Sequence, residues 1–311
     1  MALRYKIYTF QLRFQNHGRL NDFLGTTLHG GFGWALRKLT CITASMTDDC
    51  SLCSKKDQCP YYNLFDSSNQ RDSYGAHRPH PMALRIESDL PEEAYSGRPI
   101  QFGVLLLGDH LRDVNFVISA FNELGRMGIG RQKVKFVLES VKYLPEMKEI
   151  FRDGFLSAEK LPLPDRLTPD LDTAESAFRI ILLSPLRLMT KGNLMTKPDP
   201  GVFLAACNRR YQGLSRLYGE GLERELPKSW GEPELLEDNT EWVNQSRHSG
   251  RSGYQKLKFG GLKGDFVIGG LSPTAVFLIN AGAILQVGKG TSLGMGLIKV
   301  EPVKIKSVVA Y

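Results

Sequence analysis

One stretch of nine residues organises the rest of the sequence: Gly288-Lys289-Gly290-Thr291-Ser292-Leu293-Gly294-Met295-Gly296. Its four glycines let backbone N–H groups converge on an anion, because no Cβ blocks the approach. A Walker A loop is excluded, since Lys289 is followed by glycine rather than by serine or threonine. A dinucleotide fingerprint is excluded as well, because a helix-like run (275–287) precedes the glycines and a strand-like run (297–305) follows them. This glycine loop is therefore either an anion cradle or a tight connection between a helix and the last strand.

The segments before the glycine loop predict a βαββαβ order in the second half of the chain. Residues 178–188, 254–259 and 266–271 have the composition of strands. Two helices are predicted, one beginning at Asp199-Pro200 and one at Ser272-Pro273, because Asp and Ser are good N-caps and proline suits the first helical position. The glycine loop and a final strand then complete the unit.

The first half of the chain repeats this order. Strands are predicted at 5–14, 81–87, 99–107 and 133–141, and helices at 20–39 and 114–124. Gly128-x-Gly130 precedes the last strand of the first half, just as Gly294-x-Gly296 precedes the last strand of the second half. Because βαββαβ is the ferredoxin-like pattern, we predict an α+β protein of two tandem ferredoxin-like (RRM-like) domains. They occupy 1–150 and 177–311, joined by a linker at 151–176 that is rich in proline and charge.

The charge balance favours an anionic partner. Lys and Arg number 40 and Asp and Glu 33, which gives a net charge of +7 at pH 7. A four-stranded sheet of this type is a common RNA platform, although the aromatic signature of stacking RRM sheets is absent. The N-terminus has no apolar signal core, and no run approaches the roughly 18 apolar residues of a membrane span. We therefore predict a cytoplasmic protein with no membrane partner.

Four cysteines fall within one insertion at about 41–75: Cys41, Cys50, Cys53 and Cys59. In a reducing compartment, such a cluster favours a metal over disulfides. Four thiolates complete a tetrahedral zinc site, and we predict structural zinc; unligated thiols and an iron–sulfur cluster are the alternatives. A closed four-sulfur site has no open position, so no catalytic metal is predicted. Cys207 stands alone in an apolar helix and is predicted to lie in the core.

Four stretches, in their order along the two repeats, resemble a known family. They are Gly288–Gly296, Gly125–Arg131 with Phe136-Val137-Leu138, Arg247–Arg251 leading to Gly260–Gly264, and Cys50 to Phe65. The chain thereby resembles the CRISPR-associated RAMP endoribonucleases, which process precursor CRISPR RNA. The resemblance implies metal-free cleavage: the ribose 2′-OH attacks the adjacent phosphate and leaves a 2′,3′-cyclic phosphate and a 5′-OH. It also implies precursor and mature CRISPR RNA as partners, held through the repeat stem-loop, and association with other CRISPR effector subunits.

His29 is the first candidate for acid–base work, because histidine exchanges protons near neutral pH. Enzymes of the family it resembles often carry a histidine in the first helix of the first repeat. Gly25 and Gly33 lie about one turn on either side and predict a place where an RNA backbone comes close. Arg37 and Lys38 are predicted to stabilise the developing phosphorane. The alternative is a histidine that only caps or packs.

His248 is the second candidate, in Arg247-His248-Ser249-Gly250-Arg251. The family usually has a tyrosine after this arginine, so His248 is either a relocated base or a ring that stacks on a nucleotide. Arg247 and Arg251 are predicted to bind phosphate or guanine through their planar forks, with Ser249 beside them; the alternative is a solvated loop.

Further RNA ligands are predicted from basic and glycine-rich positions. They are Lys256, Lys258 and Lys263, Arg126 and Arg131, and Gly288, Lys289, Gly290, Thr291, Ser292, Gly294 and Gly296. Alternating lysines are also typical of any exposed sheet edge. Two other functions remain open: a non-catalytic RAMP subunit that binds CRISPR RNA, and a zinc-stabilised protein-interaction module that ignores RNA.

Overall fold

The computed structural model describes residues 2–20, 23–42, 49–66, 78–87, 93–190, 192–220, 226–227, 229–249 and 255–304, with backbone only at 245–249 and 255–259. The helices are α1 (Leu24–Thr40), α2 (Pro60–Leu64), α3 (Val114–Met127), α4 (Pro200–Tyr218) and α5 (Pro273–Leu285). The strands are β1 (Ala2–Phe14), β2 (Gly18–Arg19), β3 (Met82–Arg85), β4 (Glu93–Ala94), β5 (Pro99–Leu107), β6 (Phe136–Tyr143), β7 (Lys148–Arg152), β8 (Phe155–Leu156), β9 (Asp165–Leu167), β10 (Phe178–Leu186), β11 (Met189–Thr190), β12 (Asn193–Leu194), β13 (Gly219–Glu220), β14 (Gly231–Ser249), β15 (Gln255–Leu271) and β16 (Ile298–Pro302).

The protein is a mixed α/β structure with two antiparallel main sheets. The first has the order β3-β5-β1-β6-β7-β8, and β1 lies at its centre with Tyr8 opposite Val104. Alternate β1 side chains are buried, so Phe10 and its inward neighbours pack beneath the helices. The Phe121 ring of α3 lies 5.2 Å from both Phe10 and the Phe32 ring of α1. This aromatic cluster fixes α1 and α3 on one face of the sheet.

The second sheet has the order β14-β15-β10-β16. It corresponds to the order β3-β5-β1-β6 in the first, because each main strand of one half has a counterpart at the same place in the other. Helices α4 and α5 cover it, with the rings of Phe203 and Phe266 in edge contact at 5.4 Å. The predicted caps are present: Asp199 Oδ1 accepts from Val202 N at 2.8 Å, and Ser272 Oγ accepts from Ala275 N at 3.3 Å.

A long hairpin replaces the pair of short strands predicted at 254–259 and 266–271. Residues 255–259 and 266–271 lie along the single strand β15, and its partner β14 was not predicted. β14 and β15 pair from Gly231 opposite Leu271 to Ser249 opposite Gln255. Most described side chains of β14 are exposed, so the strand lacks the apolar alternation that marks a half-buried strand. The backbone ladder with β15, rather than side-chain burial, accounts for this strand.

The segment predicted as a linker (151–176) is attached to the first sheet. It contains β8 and β9, and β9 pairs with β1. Lys6, 1% exposed, lies with Nζ 3.2 Å from Asp165 Oδ1 and 3.3 Å from Glu146 Oε2. A buried ammonium needs such partners, so this ion pair ties the segment to β1. Across the described residues, no helix is both long and apolar enough to span a membrane.

Candidate functional site

Three of the four glycines of α1 mark close packing. A Cβ on Gly31 would lie 2.6 Å from Leu124, and one on Gly33 would lie 2.2 Å from the Phe65 ring. A Cβ on Gly25 would lie 2.0 Å from the carbonyl oxygen of Leu293 in the glycine loop. The prediction that RNA approaches at Gly25 and Gly33 is therefore wrong for the described conformation, because protein atoms cover both positions.

His29 lies on the same face of α1 as Gly25 and Gly33, between the two. Its partly exposed ring is 4.8 Å from the Phe65 ring and 5.9 Å from the His80 ring. Burial lowers the pKa of His80 to about 4, while a backbone hydrogen bond involving Leu64 opposes this shift. His80 is therefore neutral near pH 7. The site joins a partly exposed imidazole to a buried, uncharged one.

Sequence reasoning missed the roles of Phe65 and His80. No periodic pattern in the sequence links His80 to α1. Its neighbour Pro81 stands directly before β3. Because the residue before a proline is restricted in conformation, Pro81 is the one local signal that the backbone at His80 is held in place.

The two cations predicted to assist His29 lie elsewhere on α1. Lys38 Nζ is 2.7 Å from Glu123 Oε1, and this hydrogen bond lowers the pKa of Glu123. Lys38 follows His29 by nine residues, which corresponds to about half a revolution around a helix. Arg37 is roughly 12 Å further along the helix axis than His29, and its guanidinium lies 5.8 Å from the Tyr61 ring centre. The structure does not bring either cation to His29.

The glycine loop is compact, and packing explains its glycines. All four have positive φ, between 67° and 97°. A Cβ on Gly296 would lie 1.8 Å from Val287 O, and one on Gly294 would lie 2.6 Å from Ile86. The fully buried Gln286 side chain braces the loop from inside, donating from Nε2 to Thr291 O and Met295 O at 3.3 and 3.1 Å. These contacts favour the tight-connection alternative for the glycines.

Part of the glycine loop still faces solvent. Lys289 is exposed and Ser292 is partly exposed, whereas Thr291 is buried. The carbonyl oxygen of Leu293 packs against Gly25, so the glycine loop contacts the first turn of α1, about one turn before His29. Four residues of the loop that were predicted to bind RNA are thus open to a ligand: Gly288, Lys289, Gly290 and Ser292.

Two partly buried arginines hold the helix that leads into the loop. Arg85 of β3 donates to Ile284 O at 2.6 Å and to Ala283 O at 3.1 Å, and Arg210 Nε donates to Leu285 O at 3.0 Å. Carbonyls at a helix C-terminus carry partial negative charge, which favours these guanidinium groups. Burial lowers the pKa of both arginines to about 10, so both stay charged near pH 7. This cap connects the two halves beside His29.

The hairpin carries the second group of candidates. Its register places Arg247 opposite Leu257 and His248 opposite Lys256, near the end of the ladder, with Ser249 next along the strand. Lys258 pairs with Ser246, and partly exposed Lys263 pairs with Glu241 nearer the body of the sheet. Arg251 lies outside the described residues.

Arg126 and Arg131 both lie exposed around the first G-x-G turn. Arg126 is 3.7 Å from Glu123, the carboxylate that also binds Lys38. This exposed cationic edge is separate from the His29 face of α1.

The four clustered cysteines line one pocket of about 310 Å³ together with Tyr61 and Tyr62. All four are partly exposed and lie outside any disulfide, and Cys207 is fully buried as predicted. Within the described ranges, no group of three or more His, Cys, Asp or Glu residues is arranged to hold a metal ion. The four predicted ligands therefore line one pocket, but they are not arranged as a metal site in this conformation.

Family comparisons match both halves of the chain. Residues 3–163, more than half of it, match the AF_1859_N family model for an N-terminal domain. Residues 180–298 match the model for the CRISPR-associated endoribonuclease Cas6. No curated protein matches the chain in sequence.

Solved structures share the fold at low sequence identity. A Cas6 (TTHB231) product complex is 16% identical with a TM-score of 0.55, and the match covers 96% of this chain and all of that one. Thermus thermophilus Cas6 (TTHB231) is 13% identical with a TM-score of 0.53, covering 97% and 100%. A partial Cas6-RT-Cas1–Cas2 complex is 12% identical with a TM-score of 0.55; the match covers 97% of this chain and 46% of that longer one.

Proposed function

We propose that the chain is a CRISPR-associated RAMP endoribonuclease of the Cas6 type and that it cuts precursor CRISPR RNA within its repeats. The observation that carries the proposal is the placement of His29. Its partly exposed ring lies where α1, α2 and the glycine loop meet, held by Phe65 and beside neutral His80. We assign both halves to ferredoxin-like domains, because both sheets have the same strand order.

The proposed reaction needs one proton acceptor and one proton donor. The ribose 2′-OH loses its proton and its oxygen forms a bond to the adjacent phosphorus, while the bond from phosphorus to the 5′-oxygen breaks. The leaving oxygen takes up a proton, which gives a 2′,3′-cyclic phosphate and a 5′-OH. His29 is proposed to serve as the base or the acid, because an imidazole exchanges protons near neutral pH. No step in this scheme requires a metal ion.

RNA is proposed to reach His29 from the open side of the glycine loop. Lys289 supplies a cation there, and Gly30 leaves free space on α1, because no atom lies within 4 Å of a Cβ built on it. Arg247, His248, Lys256 and Lys258 on the hairpin are proposed to bind the phosphates of the repeat stem. The complex solved for a Cas6 with its product makes retention of the cut RNA a reasonable part of the proposal.

A non-catalytic RNA-binding subunit is the second candidate. The position of Lys38 favours it, since its salt bridge with Glu123 holds this predicted phosphorane cation about half a revolution of α1 away from His29. This candidate predicts salt-dependent RNA binding without cleavage.

The reaction can be tested with labelled repeat RNA in EDTA, beside a substrate that carries one 2′-deoxy nucleotide at the cut site. We expect the all-ribose RNA to be cut and the deoxy substrate to survive intact. A matched reaction with Mg²⁺ should show the same rate. Binding of both substrates without any cleavage would support the second candidate and remove the catalytic role of His29.

A further inference from the structure

The segment that carries three of the clustered cysteines (residues 49–66, the cysteine segment) buries side chains only from Tyr61 onward and none over 49–60. Its two short 3-10 turns, Cys50–Leu52 and Lys56–Gln58, contain no buried residue. Leu52 is 78% exposed and Ile42, beside Cys41, is 81% exposed. Ordering each backbone residue costs on the order of 1–2 kcal/mol, and apolar burial in these turns does not offset that cost. Small units of this kind are usually held by a disulfide or a metal.

The backbone presents all four thiols at chain turns. Cys41 ends α1, with its N–H bonded to Arg37 O at 2.9 Å. Cys53 N donates to Cys50 O at 3.2 Å, which closes a turn between the two sulfurs of the C-x2-C pair. Cys59 is the N-cap residue of α2. The four sulfurs therefore come from three places in the chain and line one pocket.

We propose that these four thiols bind one zinc-class ion, and that the ion holds α2 where Phe65 packs against His29. This inference deepens the proposed function and rests on it for the role of His29. As each sulfur binds the ion, its thiol proton passes to solvent, and the ion draws the four sulfurs within metal–ligand distance. No oxidant or reductant is involved. The ion is structural, because four sulfurs leave no open coordination position.

The path from the pocket to His29 is short. α2 has five residues, too few to be stable alone, and it begins directly after Cys59. The Tyr61 ring lies 5.5 Å from Phe65, and Phe65 lies 4.8 Å from His29. Gly33 leaves the space that the Phe65 ring occupies. An ion that fixes Cys59 thus fixes the ring that orients the His29 imidazole.

Elemental analysis of the purified full-length chain tests the metal site. We expect about one zinc per chain, and Co²⁺ exchanged into the protein should show sulfur-to-metal charge transfer and the visible bands of tetrahedral coordination. Cys53→Ser should lose the bound metal, whereas Cys207→Ala should retain it, because Cys207 lies in the other core. Absence of metal in the wild type, with no cobalt bands on titration, would overturn the inference. Iron with inorganic sulfide would overturn the zinc assignment.

A second variant tests the coupling to His29. Phe65→Leu should keep its zinc but shift the ring signal of His29 in a ¹H–¹³C NMR spectrum and lower the cleavage rate on the order of tenfold or more. An unchanged His29 signal would overturn the coupling. RNA cleavage by a metal-free wild-type chain would refute this inference and leave the proposed function standing. Zinc and an NMR shift without cleavage would support the inference and refute the function.

Discussion

Replacing Gly25 by alanine tests the contact that joins α1 to the glycine loop. The new Cβ would lie 2.0 Å from Leu293 O, a backbone atom that has no alternative rotamer. Leu293 is also fixed by its own N–H, which donates to Gly290 O at 2.9 Å. Forcing a methyl group into such a packed site costs roughly 1–3 kcal/mol, so we expect the free energy of unfolding to fall by about that amount.

Gly30 provides a matched control in the same helix. No atom lies within 4 Å of a Cβ built there, so alanine meets open space. Alanine also removes the entropic cost of glycine inside a helix, and Gly30→Ala should raise the free energy of unfolding by roughly 0.5–1 kcal/mol. The same substitution is therefore expected to have opposite signs five residues apart.

Urea unfolding, followed by circular dichroism and tryptophan fluorescence, measures both variants. The two probes should give coincident transitions before a free energy is calculated, because a chain with two cores can unfold in steps. A midpoint for Gly25→Ala equal to or above that of the wild type, with an unchanged slope, would refute the contact between α1 and the glycine loop.

Three further predictions concern buried charge and RNA affinity. Arg85→Met leaves the carbonyl of Ile284 unpaired at the end of α5, and urea unfolding should show a loss of roughly 2–4 kcal/mol. The pKa of His80 is lowered from 6.5 to about 4, so between these pH values the unfolded chain binds more protons than the folded one. The free energy of unfolding should therefore fall by up to about 1.4 kcal/mol per pH unit as the pH drops through this window. His80→Gln should reduce this dependence of stability on pH. Lys289→Ala should weaken RNA binding and lower the salt slope by about 1, whereas Lys299→Ala, whose lysine is paired with Glu301, serves as the control.

Each of these predictions has a clear contrary result. An unfolding free energy unchanged by Arg85→Met would mean that α5 is held without this cap. Equal pH slopes in the wild type and in His80→Gln would place the linked protons on other groups. Equal affinities for the Lys289 and Lys299 variants would remove the glycine loop from the RNA path.

Local chemistry made parts of the fold predictable. The capped starts of α4 and α5 follow from Asp199-Pro200 and Ser272-Pro273, and both caps are present. Helix α3 follows from an apolar stripe that is buried as expected. These features depend on neighbours within a few residues, which is the range that a sequence pattern reports.

The features that the sequence did not predict depend on distant partners. Most described side chains of β14 are exposed and the strand is held by its ladder with β15, so no apolar pattern predicted it. The segment after residue 151 reads as a linker by composition, yet buried Lys6 holds Asp165. Lys38 follows His29 closely in sequence but pairs with Glu123 on another helix.

The candidate site shows the same division. His29 and the glycine loop could be identified in the sequence from their residue types. Their proximity depends on how the two halves pack, which the sequence does not show. His80 and Phe65 come to His29 from separate segments, and no spacing rule connects them. Gly25 led to the prediction of a close approach by RNA, whereas the structure identifies Leu293 as the neighbour.

The most direct test of the account compares His29→Ala with His17→Ala in single-turnover cleavage of repeat RNA, with affinity measured in parallel. His17 is an exposed histidine against Tyr95, away from the proposed site, and serves as the control. We expect His29→Ala to lower the cleavage rate by roughly 10²-fold or more with little change in affinity, and His17→Ala to cut at the wild-type rate. Equal cleavage by the two variants would contradict the assignment of His29 as the acid–base group.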